Sequence, residues 1–218
     1  MYHIHLIGTS RRIPVGKVVC LGRNYSEHIS ELGNAVPDQP VIFIKPSTSI
    51  IPDGKTVVIP DYSDDCHHEV ELALLIGKSG RKIKQQDAME HVAGYGVAVD
   101  LTLRDVQSKQ KEKGLPWEIA KGFDTACPLS DFVPAERIED PHNLRLTLSV
   151  NGETRQDGNT SLMMRQIPQI IEEMSSIFTL EEGDIILTGT PAGVSRIVSG
   201  DVMVAEIEQV GRLEVKVA

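Results

Sequence analysis

Cys66-His67-His68-Glu69-Val70-Glu71-Leu72-Ala73-Leu74-Leu75-Ile76-Gly77 is the stretch whose reading decides the fold. Its apolar run predicts a strand over 68–76. Side chains two apart on a strand share a face. His68, Val70, Leu72 and Leu74 therefore lie on one side, and His67, Glu69, Glu71, Ala73 and Leu75 on the other. Two carboxylates side by side on so apolar a strand repel each other and resist burial. Pairing with Arg or Lys, or coordination of a cation, relieves both costs. A solvent-facing polar edge is the alternative, but Ala73 and Leu75 continue the same face and point to a buried far end.

Outward from this run, further strands are expected over 17–21, 41–45, 56–59, 96–101, 144–150, 184–187, 202–208 and 212–217. Asn151-Gly152 is the signature of a type I′ hairpin turn, and Gln209-Val210-Gly211 reads as a second turn. Helical patterns are fewer, over 24–32, 85–92, 104–113 and 161–177. The last carries apolar residues at 162, 163, 166, 167, 170, 171 and 174, with Pro168 marking a kink or a later start. Strands outnumber helices and do not alternate with them. The expected class is α+β, a sheet-rich single domain over 1–218. No glycine-rich phosphate loop follows any strand.

Composition narrows the function. The 218 residues carry 22 Lys and Arg against 31 Asp and Glu, a net charge of −9, which argues against broad binding to nucleic acid or anionic membrane. The longest apolar runs fall far short of the ~20 residues of a membrane span. Cys20, Cys66 and Cys127 are odd in number and scattered, which suits reduced thiols in a cytoplasmic setting. The N-terminal segment shows neither a signal-peptide nor a transit-sequence pattern.

Asp100 closes the apolar run Gly96-Val97-Ala98-Val99 and is a third acid for the Glu69/Glu71 pair, although it also suits the N-cap of the helix that follows. Three convergent carboxylates suit a hard divalent ion, Mg²⁺ or Mn²⁺. They leave that site one negative charge, so an anionic substrate needs cations nearby. Zinc on Cys66, His67 and His68 is disfavoured because contiguous strand residues cannot all face one ion. In the segment after the first expected strand, His28 and Glu31 are three apart on a short helix, where the acid orients the imidazole as a base; two solvated surface residues fit the same spacing. Lys121 lies in an apolar setting, and Leu187-Thr188-Gly189-Thr190-Pro191-Ala192-Gly193 offers hydroxyl and N–H donors after a strand.

Together these motifs resemble the fumarylacetoacetate hydrolase family, and most closely its short acylpyruvase/oxaloacetate decarboxylase branch. The resemblance runs from about Val18 to the C-terminus. It rests on Gly22-Arg23-Asn24-Tyr25 with His28, Phe43-Ile44-Lys45-Pro46, His68-Glu69-Val70-Glu71-Leu72, Asp100 with Arg104-Asp105-Val106-Gln107, Gly114-Leu115-Pro116-Trp117, Lys121, and Glu181-Glu182-Gly183-Asp184 through Thr190-Pro191. It implies a mixed β-roll and a homodimer, with Mg²⁺ or Mn²⁺ held by Glu69, Glu71 and Asp100. His28 and Glu31 are implied as an acid–base pair on a lid and Lys121 as an active-site cation. Arg23, Lys45, Arg104, Gln107 and Thr190 are implied as contacts to a small anionic 2-oxo acid. The first functional expectation is hydrolysis of a 3-acylpyruvate to pyruvate and a carboxylate. Oxaloacetate decarboxylation or enol–keto tautomerisation is the alternative, dienoate isomerisation a third, and a metal-stabilised scaffold the non-catalytic rival.

Overall fold

The computed structural model describes residues 2–218. Its centre is the strand Val70–Ile76, all seven residues of which are buried. The strand lies between Ile185–Leu187 and Val92–Val99, antiparallel to both, in a mixed sheet. That sheet runs Val41–Pro46, Lys17–Gly22, Ile185–Leu187, Val70–Ile76, Val92–Val99, Cys127–Leu129, Ile50–Pro52. A second sheet orders Glu153–Asn159, Arg145–Val150, Val202–Ile207, Gly211–Val217 and Thr56–Val57.

The expected alternation of faces is present. Val70, Leu72, Leu74 and Ile76 enter one core with Leu146, Leu148, Met203, Ala205, Leu213 and Val215 of the second sheet. Ala73 and Leu75 enter another, with Val18, Cys20, Ala98, Cys127 and Leu129. Each large aliphatic removed from water in this way contributes about 1.5–3 kcal/mol. The register decides the site. Val70 pairs with Val99 and Glu71 with Ala98, so Glu69 falls opposite Asp100, and the Asp100 N–H donates to the Glu69 carbonyl at 2.8 Å.

The α-helices among the described residues are α1 (Ser26–Glu31), α2 (Arg104–Glu112), α3 (Glu118–Lys121) and α4 (Ile167–Ile177). Helix α4 starts later than the apolar spacing suggests. Pro168 occupies its first turn, the place a residue without an N–H is tolerated, and Thr160–Leu162 forms a separate 3₁₀ turn. Helix α1 is shorter than 24–32 because Asn24 does not cap it. The Asn24 amide instead donates to the carbonyls of Arg165 and Thr188 at 3.0 and 2.9 Å and accepts from the Arg165 N–H at 2.8 Å. Residues Gln85–His91 form a 3₁₀ helix. The strand expected over 56–59 shortens to Thr56–Val57. Asn151 and Gly152 both hold left-handed φ, 53° and 82°, as a type I′ turn requires, and join Arg145–Val150 to the polar edge strand Glu153–Asn159. All three cysteines are free and buried. Among the described residues no helix is long and apolar enough to cross a membrane.

Candidate active site

The register places Glu69, Glu71 and Asp100 on one face, and each offers an oxygen within 4.8 Å of the other two. All three are buried. Asp100 does not cap α2, whose N-cap is Leu103 and carries no side-chain hydrogen bond. Glu69 is paired with two cations: Lys121 Nζ donates to Oε2 at 2.9 Å and the Arg104 guanidinium to Oε1. Burial raises the Glu69 carboxyl, but Lys121 and Arg104 outweigh it and hold the group well below the usual carboxylate range. Glu71 differs. Among the described residues its carboxylate accepts a hydrogen bond from the Gly189 N–H alone, at 2.6 Å, and burial, then the charges of Asp100 and Glu69, push its carboxyl well above the ordinary value. A buried carboxyl beside two others, all hard oxygen donors, is the environment a divalent cation relieves, so the donor set fits Mg²⁺ or Mn²⁺.

Lys121 bridges Glu69 and Asp100, with Asp100 Oδ2 at 2.6 Å, and lies 4.9 Å from the centroid of the Phe43 ring. Burial lowers its ammonium, yet Asp100 and Glu69 more than compensate and raise it, which keeps it cationic. Lys45 is placed differently from the substrate contact the resemblance implied. It is fully buried, and its ammonium donates to the carbonyls of Leu101, Ala126 and Lys121. Asp100 Oδ1 forms an ion pair with Lys45 Nζ at 2.7 Å but no hydrogen bond, and Lys45 has three donors for the three carbonyls it reaches. Thr190 is also committed within the protein: its hydroxyl donates to Val70 O and accepts from Gln156 Nε2, both at 2.8 Å.

On α1, His28 Nδ1 lies 3.2 Å from Glu31 Oε2. The second Glu31 oxygen accepts from the Gly193 N–H at 3.0 Å. The loop after Ile185–Leu187 therefore directs its N–H groups at protein carboxylates, Gly189 to Glu71 and Gly193 to Glu31. Both glycines adopt left-handed φ, 95° and 98°, and a Cβ on Gly193 would stand 2.1 Å from Arg155 O.

His28, Glu69 and Lys121 open on a cleft of about 230 Å³. His28, Glu69, Lys121, Arg23, Arg104 and Gln107 line it, and Phe43 and Trp117, 6.0 Å apart between ring centroids, wall it. Along α2 the lining residues Arg104, Gln107, Ser108 and Lys111 follow the i, i+3, i+4, i+7 stripe of one helical face. Sequence reading singled out neither Lys111 nor Asn34. The stripe itself was available to it, since residue 111 is two turns beyond Arg104 on an expected helix. No local signal marks Asn34, which reaches the cleft only through the path of its loop.

Residues 17–218 match the family model described as Fumarylacetoacetate (FAA) hydrolase C-terminal. The chain belongs to the fumarylacetoacetate hydrolase family. Within it, the chain is 52% identical over 200 residues to the mitochondrial oxaloacetate tautomerase of Bos taurus, covering 92% of this chain and 90% of that protein. It is 54% identical over 189 residues to an oxaloacetate tautomerase of Escherichia coli strain K12, covering 86% of each. Among solved structures, the fumarylpyruvate hydrolase of Pseudomonas aeruginosa in complex with Mn²⁺ and pyruvate superposes with a TM-score of 0.95 at 35% identity, covering 99% of this chain and 95% of that one. The mixed, sheet-rich fold and the family implied by the motifs are thus both found. For the reaction, the relatives favour the oxaloacetate alternative over acylpyruvate hydrolysis.

Proposed function

We propose that this family member interconverts the enol and keto forms of oxaloacetate. The observation that carries the reading is one cleft lined by His28, Lys121 and Glu69, with Glu31 bonded to His28 and Glu71 and Asp100 clustered beside Glu69. The high identity to oxaloacetate tautomerases supports the choice of substrate. Arg104 and Lys121 pair with Glu69, and Lys121 and Lys45 with Asp100, so a divalent ion on the three acids would make the site more positive, suited to an anionic substrate.

Glu69, Glu71 and Asp100 would hold the ion, which when bound would supply Lewis-acid polarisation of the 2-oxo group. In the enol-to-keto direction C3 gains a proton and the enol oxygen releases one to solvent, so the exchange is balanced. His28, steadied at Nδ1 by Glu31, carries the proton at C3. Lys121 offsets the negative charge that develops on the C2 oxygen. Arg104 and Gln107 orient the substrate, with Arg104 Nη1 donating to Gln107 Oε1 at 2.9 Å. Phe43 and Trp117 limit water on one wall.

Acylpyruvate cleavage is the second reading, supported by the fumarylpyruvate hydrolase neighbour. It differs in asking His28 to activate a water. The two are separated by following loss of enol absorbance, with the keto acid captured by a dehydrogenase, beside pyruvate release from acetylpyruvate. Tautomerisation accelerated over the buffer rate, and reduced about 10²–10⁴-fold by His28→Ala or Glu31→Ala, is the expected result. Rapid pyruvate release with enol decay at the buffer rate would overturn the reading in favour of hydrolysis.

A further inference from the structure

At the mouth of the cleft two cations share one neutral acceptor. Arg23 Nη2 donates to Asn34 Oδ1 at 3.0 Å, and Lys111 Nζ donates to the same oxygen at 2.9 Å. Both partners are obligate donors, so the amide must turn its oxygen to them. Neither Arg23 nor Lys111 forms an ion pair with a carboxylate among the described residues, although the chain carries a net charge of −9. The third cation there, Arg104, is already engaged by Glu69. Burial, then the charges of Arg23 and Arg104, lower the Lys111 ammonium. Like charges gathered without a counter-charge at a cleft entrance repel each other, and an anion bound between them removes the cost.

We propose that Arg23, Asn34 and Lys111 form a subsite for the second carboxylate of a dicarboxylic 2-oxo acid, and that Lys111 sets the preference for dicarboxylic over monocarboxylic substrates. The inference rests on the 2-oxo acid reading above and specifies the member of that class. All three residues line the same cleft as Glu69, Lys121 and His28. A substrate with its 2-oxo carboxylate end at the buried acids presents its far end to this pair. Asn34 acts as a positioning residue, holding both cations at one point with its own oxygen.

The test measures binding, so it does not depend on turnover. The Mg²⁺-loaded full chain is titrated calorimetrically with 3,3-difluorooxaloacetate, which cannot enolise, and with 3,3-difluoro-2-oxobutanoate, which lacks the second carboxylate. The parent protein should bind the first roughly tenfold or more tightly than the second. Lys111→Gln should abolish most of that preference and leave the monocarboxylate affinity in place, and Lys111→Arg should restore it. Lys111 is itself exposed, so these variants should melt with the parent. Equal weakening of both ligands, no change in either, or no preference in the parent would overturn the subsite. A Lys111-dependent preference in a protein that fails to speed enol decay would leave the subsite standing and remove the tautomerase reading.

Discussion

Lys45→Met tests whether the fully buried ammonium holds the floor of the site together. The substitution keeps most of the aliphatic stem but removes the charge and its donors. In the structure those donors serve the carbonyls of Leu101, Lys121 and Ala126, on three separate segments, and the charge faces Asp100 Oδ1 at 2.7 Å. Removing one partner of a buried pair costs about 3–5 kcal/mol, and each carbonyl left without a donor adds to that unless water enters. A loss of about 4 kcal/mol follows. For a chain of this size each kcal/mol moves Tm by about 2–4 °C, so Lys45→Met should melt roughly 8–16 °C below the parent. The assay is thermal unfolding by circular dichroism in EDTA, which removes stabilisation by a bound ion, run beside steady-state kinetics with the ion restored. Melting within about 2 °C of the parent, with only a rise in KM, would refute the reasoning and return Lys45 to the substrate-contact role that the motif resemblance implied.

Three further outcomes are expected. Glu71→Gln keeps the Gly189 hydrogen bond but removes one hard anionic donor, so Mn²⁺ affinity by calorimetry should fall at least tenfold; unchanged affinity would place the ion elsewhere. Gly193→Ala should lower both Tm and turnover, because its methyl meets Arg155 O and the loop must shift, carrying the backbone N–H away from Glu31; parent-like turnover would separate that clamp from catalysis. Burial pushes the Cys66 and Cys127 thiols up to about 12 and raises Cys20 well above its usual value, so at pH 8 all three stay protonated as well as enclosed. A thiol reagent should therefore titrate none in the native protein and all three in denaturant, and prompt native labelling would contradict that packing.

The alternation from His67 to Leu75 was enough to assign Glu69 and Glu71 to one face, since period two is fixed by strand geometry and needs no partner. The Asn151-Gly152 turn was equally local, because few residues tolerate left-handed φ at consecutive positions. The ends of α1 and α4 were less legible. Asn24 opened the expected helix over 24–32, yet its amide bonds distant backbone instead, and only the position of Arg165 and Thr188 decided that.

Sequence by itself determined the two cores, through where its aliphatic residues fall, and the set of chemical groups available to a site. Tertiary structure decided which of those groups meet. Register against Val92–Val99 brought Asp100 opposite Glu69, a pairing between residues far apart in the chain that no local pattern encodes. It also enclosed Lys45 beneath the acids and left Lys111 at the entrance. A lysine's role depends on what its flexible stem can reach, and that is set by packing rather than by its neighbours in sequence.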